Sequence, residues 1–525
     1  MLSSIIGVLT AATALLLMLT EMKWDVQMLQ QNSYRNERFT KWLQTSGEAS
    51  SAGRLLDLVL LVLSVSMFTM SWIVEVILVA VILIKCVSSW RKKYKKPLVF
   101  TKRVLRLLIT EAVVVAAIAV AAGIFRHDAR TTGSVALAAA TFSYALTLAA
   151  NWAIRPLETA INNRYIDDAK RRLAQMPHLT VVGITGSYGK TSTKHYLNRI
   201  LSEKYSVLMT PGSYNTPMGV VRTVREMMKP YNDIFIVEMG AKNVGDIREI
   251  CDIVHPSLGI VTAVGEQHLE TFKTIERVQS TKFELVDALP ADGFAVLNND
   301  FEHIADRPVT NVPAARYSLK PLPGSDYHIT GVTYTPSGTE FTIEGNGSCI
   351  TARTKLVGEC NVSNLAAAVI TAKHLGVPDD KIRYAVSRIE QVEHRLNVKR
   401  TAGGITIIDD AFNSNPDGSR MALDVLAGMG GGKRIVITPG MIELGTKQEH
   451  YNQIFGQRIA KCADVAIIVG QYNRDAILKG IKSGGMDKKR VHPVDSFDQA
   501  QKLMLSIARP GDTVLYENDL PDSFK

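Results

Sequence analysis

Residues 181–193, VVGITGSYGKTST, constrain this chain more than any other stretch. Val181, Val182 and Ile184 make an apolar run of strand type, and a glycine turn follows at Gly186-Ser187-Tyr188-Gly189. Lys190-Thr191-Ser192-Thr193 then opens a helix expected to reach about Leu201. Glycines let backbone N–H groups converge, a helix N-terminus adds partial positive charge, and a lysine and a hydroxyl supply a cation and a magnesium ligand. That combination suits a nucleoside triphosphate. The pattern is the short G-x-x-G-K-T. The longer G-x-x-x-x-G-K-[ST] would need glycine at Ile184, and the nearest one, Gly183, stands one place too early.

A chain of 525 residues exceeds a single hydrophobic core and points to several domains. Its formal charge of +10 would suit nucleic acid if the basic residues were spread over a folded face. They are not: nine lysines and arginines lie between Lys85 and Arg106 with no acidic residue among them, flanked by apolar segments, as in a cytoplasmic membrane loop. No nucleic-acid partner is expected. Cys86, Cys251, Cys349, Cys360 and Cys462 are widely spaced without a C-x-x-C pair, which argues against a disulfide framework or zinc site and suits a reducing cytoplasm.

Residues 2–20 carry no charge and are long enough for one membrane-spanning helix. A cleaved signal peptide is the competing reading, but no lysine or arginine precedes the apolar run and no small-residue cleavage site follows. Residues 55–84 are long for one span and short for two, and 107–125 with 133–153 read as a hairpin. Four or five spans are expected over 1–154, with the basic loop and everything after Arg155 on the cytoplasmic side. Glu75 and Glu111 are the acids that stand out in these spans, and helix-end positions account for them more simply than transport, for which a polar path is lacking. Residues 31–43 suit an interfacial helix or a loop.

Beyond the glycine turn, short β-branched runs alternate with amphipathic stretches, the signature of an α/β sheet. Ile234–Val237 empties into Glu238-Met239-Gly240, which puts a carboxylate at the C-terminal end of a strand, where ligands of such sheets collect. Ser213-Tyr-Asn-Thr-Pro-Met-Gly219 precedes it, and His268, Lys282-Phe-Glu284 and Leu297-Asn-Asn-Asp300 follow in order. Strand-like alternation over 307–353 predicts a small β-rich extension. Further on come Gly358-Glu-Cys-Asn361-Val-Ser-Asn364, Arg395, Asp409-Asp410-Ala-Phe-Asn413-Ser-Asn415-Pro416, and Gly440-Met-Ile-Glu443-Leu-Gly445 with His450.

Together these elements resemble the Mur ligases, the ATP-dependent amide-forming family of peptidoglycan synthesis, over the last two-thirds of the chain. Within the family they resemble the D-alanyl-D-alanine-adding branch, since no D-N-P-R-like loop is found. The resemblance implies an α/β chain with a multi-span helical membrane segment (1–154), a linker (155–177), a phosphate-loop central domain (178–415) and a Rossmann-like C-terminal domain (416–525). It implies ATP held by Gly186, Ser187, Gly189, Lys190, Thr191 and Ser192, with Asn364 at the adenine, Arg395 at the phosphates and Asp410 at the ribose. Thr191 and Glu238 would bind Mg²⁺. His268 would help position a second Mg²⁺, and Lys282 would be carbamylated to organise it, giving Lys190, His268 and Lys282 catalytic roles. Asn215, Thr216, Asn413 and Asn415 would meet substrate.

The implied partners are a UDP-muramoyl-peptide, an amine acceptor, the bilayer of the bacterial cytoplasmic membrane and other cell-wall synthesis proteins. Cys360 departs from the histidine of many relatives. The end of the chain departs further: where the family shows K-G-S, this one reads Glu517-Asn518-Asp519, which suits an amine acceptor without a free carboxylate or a solvated loop. A paralogue using another amine and a non-catalytic ATP-binding membrane assembly protein are the alternatives.

Overall fold

The computed structural model describes residues 2–66, 72–92, 96–125, 129–335, 338–412 and 414–520. Two compact units divide it, Met1–Asn163 with Leu520–Lys525 and Arg164–Asp519.

The first unit is helical. Ile5–Gln31, Ile73–Arg91 and Lys102–Ala122 are each long and apolar enough to cross a bilayer. Ala129–Thr141 and Ser143–Ala174 meet at a 77° bend and bring the number to four if the pair forms one broken span. The expectation of four or five spans therefore reduces to three or four among the described residues. The apolar stretch 55–84 belongs to two helices, Ala52–Ser66 and Trp72–Arg91. The fifteen described residues of the first rise only about 22 Å at 1.5 Å each, short of a hydrocarbon core. Residues 36–45 form a helix, as one of the two readings of 31–43 anticipated in part. The segment expected as a linker is helical as far as Ala174.

Inside this unit lies an ionic cluster that sequence reading missed. Arg54 sits 2.6 Å from Asp25 and 3.1 Å from Glu21, while Lys85 sits 3.0 Å from Glu21 and also pairs with Asp57. Ser143 donates to Asp25. Glu75 pairs with Arg130 at 2.7 Å, and Glu111 accepts from Thr147 at 2.7 Å. Charges removed from water persist only with such partners. Replacing Arg54 with methionine should destabilise the solubilised protein by about 3 kcal/mol or more, because the buried Asp25 loses its cation and Glu21 keeps only Lys85. Adding Asp25→Asn should recover part of the loss; thermal unfolding of both variants in one detergent checks this.

The second unit carries two sheets. The first has nine strands: β1 (Thr180–Thr185), β2 (Val207–Met209), β3 (Ile234–Glu238), β4 (Leu258–Val261), β5 (Phe294–Asn298), β6 (Ala314–Ser318), β7 (Tyr327–Thr335), β8 (Gly338–Gly345) and β9 (Ser348–Thr354). Their order is β2-β3-β1-β4-β5-β6-β7-β8-β9. The first seven in that order run parallel, and the antiparallel β8 and β9 are the β-rich extension expected over 307–353. Chain order reverses across β1, so its C-terminal end is the switch point where a doubly wound sheet opens a crevice. The glycine turn leaves β1 at that end. Two apolar clusters cover the faces, one around Ile184, Tyr196 and Ile260, the other around Val181, Phe235 and Phe283.

The second sheet contains β10 (Asn397–Arg400), β11 (Thr406–Asp410), β12 (Arg434–Thr438), β13 (Val465–Val469), β14 (Val491–Val494) and β15 (Thr513–Glu517), ordered β10-β11-β15-β12-β13-β14. Its first strand lies upstream of the 415/416 boundary read from sequence. Pairing explains the shift: β11 lies parallel to β15, with Asp410 opposite Glu517, and β10 pairs antiparallel with β11.

Candidate functional site

The glycine turn has the conformation its residues demand. Gly186 and Gly189 have φ of 151° and 81°. A Cβ at Gly186 would lie 2.1 Å from Thr262 Oγ1, and one at Gly189 would lie 2.4 Å from Asn364 Oδ1. Only glycine fits. Ser187 Oγ donates to the Gly265 carbonyl at 2.9 Å and Ser192 is buried in the first turn of the helix Lys190–Leu201. Lys190 Nζ donates to the carbonyls of Gly186 (2.6 Å) and Ser187 (3.3 Å), so the ammonium lies over the turn. Burial lowers its pKa to about 8, with Glu238 opposing the shift.

Glu238 ends β3 beside the turn and is 1% exposed. Thr191 Oγ1 and Asn215 Nδ2 donate to its Oε1 at 3.2 and 3.1 Å, and Lys194 Nζ donates to Oε2 at 2.9 Å. Lys194 is fully buried and also donates to the Gly212 carbonyl at 2.6 Å. Burial pushes the Glu238 carboxyl up, but the ammoniums of Lys194 and Lys190 outweigh it and hold the pKa below the ordinary value. Sequence reading missed Lys194. The available signal was its place four residues after Lys190, on the same helix face.

The donor set fits a Mg²⁺ shared with phosphate. Such an ion takes one or two protein oxygens and completes its shell with phosphate and water, and the Thr191 hydroxyl with the Glu238 carboxylate supplies that pair. Among the described residues no group of three or more His, Cys, Asp or Glu could enclose a metal, so the set does not fit an all-protein cage.

Lys282, on the helix Ile275–Asp287, is 2% exposed and makes no hydrogen bond or ion pair with the described residues. Burial lowers its pKa to about 7, helped by the charge of Lys190 and opposed by Asp246 and Glu284. Glu284 accepts from the backbone N–H groups of Gly245 and Arg248 at 2.7 and 2.9 Å and so caps the helix Asp246–Val254. His268 is engaged through Nδ1 by Glu443 from the second sheet's domain. Lys242 meets the same carboxylate at 2.7 Å, and Glu266 pairs with Lys447 at 2.6 Å and accepts from the Tyr451 hydroxyl. These contacts join the two domains.

Asn364 stands beside Gly189 and accepts from Thr193 Oγ1 at 3.3 Å. Arg395 lies 4.2 Å over the Phe412 ring and lines a cavity of about 660 Å³ with Thr191, His195, Ser213 and His394. Burial lowers the Arg395 pKa while Asp410 and Glu238 oppose, which places all three in one electrostatic neighbourhood. Asp410 accepts from Leu396 N–H at 3.0 Å, and burial raises its pKa to about 6.

Two expected substrate contacts have local tasks. Thr216 accepts from Gly219 N–H and caps the helix Pro217–Met227, and Asn415 likewise caps Pro416–Ala427. Asn215 is held on Glu238, and Asn413 lies outside the described residues. Glu517 is no solvated terminal acid: it is 1% exposed, accepts from Ser414 at 2.6 Å, and burial next to Asp410 raises its pKa well above the carboxylate range.

Two known domains match the chain, the Mur ligase middle domain over residues 184–372 and the "Mur ligase, glutamate ligase domain" over 394–516. The second match begins three residues before the second sheet does. The UDP-N-acetylmuramoyl-tripeptide–D-alanyl-D-alanine ligase of Mycobacterium bovis is 30% identical over 428 residues, covering 76% of this chain and 78% of that protein. The solved MurF of Thermotoga maritima in complex with ADP has a TM-score of 0.62 at 25% identity, covering 68% and 80% of the two chains. MurF from Acinetobacter baumannii has the same TM-score at 24% identity, covering 68% and 77%.

Proposed function

Since this chain belongs to the Mur ligase family and is an ATP-dependent amino-acid ligase of that type, we propose that it joins D-alanyl-D-alanine to a UDP-N-acetylmuramoyl-tripeptide through an acyl phosphate. The observation that carries the reading is the gathering of Lys190, Thr191, Lys194 and Glu238 at the switch point of the first sheet. A carboxylate is a poor electrophile at neutral pH, so the donor carboxylate takes the γ-phosphoryl group of ATP. The amine then attacks the carbonyl carbon, and phosphate departs with its bonding pair. Both reactants of the first step are anions.

Lys190, over the glycine turn, would meet the phosphates and offset their charge, and Arg395, just before the second sheet, would add a cation. A Mg²⁺ held by Thr191 and Glu238 would polarise the transferring phosphoryl group when bound. Lys282, buried and unpaired among the described residues, has a pKa lowered to about 7 and so offers part of its population as the neutral amine that carbamylation by CO₂ requires. Asn364 would read the adenine and Asp410 would approach the ribose. The apolar helices would fix the enzyme in the cytoplasmic membrane with both sheets in the cytoplasm, by the charge of the 85–106 loop.

The full chain in detergent micelles should release phosphate from ATP only when the muramoyl-tripeptide and D-alanyl-D-alanine are both supplied, with the ligated product seen by mass spectrometry. Phosphate release independent of both substrates would count against a ligase. Glu517 favours a second reading. Buried against Ser414, it offers no cation to an acceptor's free carboxylate where the resemblance implies K-G-S, which suits an acceptor amine without one, and a screen of amidated against free-acid acceptors separates the two.

A further inference from the structure

Glu443 makes a contact with a consequence for the chemistry. It sits in the loop after β12 with φ of 62°, facing His268 with φ of 53°. Neither is glycine, and left-handed backbone in such residues persists where the surroundings over-determine it. Three attachments hold Glu443 on the first domain. Its Oε2 engages His268 Nδ1, its Oε1 lies 2.7 Å from Lys242 Nζ, and its carbonyl accepts from Glu270 N–H at 3.2 Å.

We propose that Glu443 is a positioning residue: it fixes the His268 tautomer with the proton on Nδ1, leaves Nε2 with its lone pair free for a divalent ion, and makes that arrangement depend on contact between the two domains. The proposal rests on the reading that His268 helps position a metal. Its physical basis is that a metal-side histidine is oriented and made more basic by the acceptor on its other nitrogen. Among the described residues His268 Nε2 has no hydrogen-bond partner, and Lys282 is near enough for its charge to act on the ring. Because the carboxylate comes from the second domain, a histidine of the first is set only while the domains touch. An ordinary interdomain ion pair would have no such effect, and the neighbouring Lys447–Glu266 pair provides that comparison.

The experiment titrates Mn²⁺ into the full chain in micelles with a non-hydrolysable ATP analogue, reading free Mn²⁺ by electron paramagnetic resonance. The His268-dependent ion is the binding lost in His268→Ala. Glu443→Ala should weaken that ion about 10- to 100-fold. Glu443→Gln should lose less, since its amide oxygen still accepts from Nδ1–H, and Lys447→Met should change little. In the His268→Ala background Glu443→Ala should add nothing. Binding that Glu443→Ala leaves intact while His268→Ala abolishes it overturns the coupling alone, as does an additive loss in the double variant. Unchanged binding in His268→Ala removes the metal from that residue and takes both readings down.

Discussion

Lys282→Ala should lower ligase turnover by about 10²- to 10³-fold, the loss seen when one preorganised charge-stabilising group is removed from an active site. The side chain is buried, unpaired among the described residues, and held with Lys190 and His268 inside the first domain. An ordinary structural lysine would be placed at the surface or against a carboxylate. If the working form is the carbamate, acetate or propionate should restore part of the turnover by supplying a carboxylate to the space the side chain leaves. Stripping CO₂ from the buffer should lower the wild-type rate. Full turnover in the alanine variant removes Lys282 from the mechanism; a loss that neither acid rescues, with unchanged thermal stability, would leave a role for the amine and end the carbamate.

Glu238→Gln should be the most damaging single change in both stability and activity. It leaves the Lys194 ammonium buried without its counter-charge, and breaking a buried pair from one side costs about 3–5 kcal/mol. It also removes the one carboxylate within reach of Thr191 Oγ1 among the described residues. The two effects separate in Glu238→Gln/Lys194→Met, where both charges are gone. That variant should regain most of the lost stability, since an apolar pair of similar volume is often neutral, while phosphoryl transfer stays absent. A double variant that recovers turnover would show that the carboxylate serves Lys194 alone. Thermal unfolding and phosphate release on the same preparations decide between these outcomes.

Much of the site was legible because its signals are local. Gly186 and Gly189 announce a turn that tolerates no Cβ, and Lys190 and Thr191 follow at fixed spacing, so the turn and its helix are readable from 13 residues. Glu238 was legible for a related reason: a β-branched run ending in an acid places that acid at a strand's C-terminal edge. Thr216 and Asn415 carry a task that this logic does not foresee. An asparagine or threonine before proline looks like a ligand contact in a motif, yet the same residues are strong helix caps, and here their oxygens face the N–H groups three residues on. The ionic cluster of Glu21, Asp25, Arg54, Asp57 and Lys85 escaped notice because its members lie on three separate helices, at the ends of runs read chiefly for hydropathy.

By itself the sequence determined the elements and the chemistry they carry: a strand, turn and helix for phosphate, an α/β alternation, apolar helices at the start, and the identity of each polar group. Tertiary structure alone decided the partners. Lys194 meets Glu238 across 44 residues of chain and His268 meets Glu443 across 175, and both pairings follow from strand order and from the docking of one sheet's domain on the other. The start of the second sheet at Asn397 was decided in the same way, by β11 finding β15 and β10 pairing with β11. Helix and strand periods, caps and turns act within a few residues. Which charges share a site depends on how distant elements pack, and no short-range rule contains that.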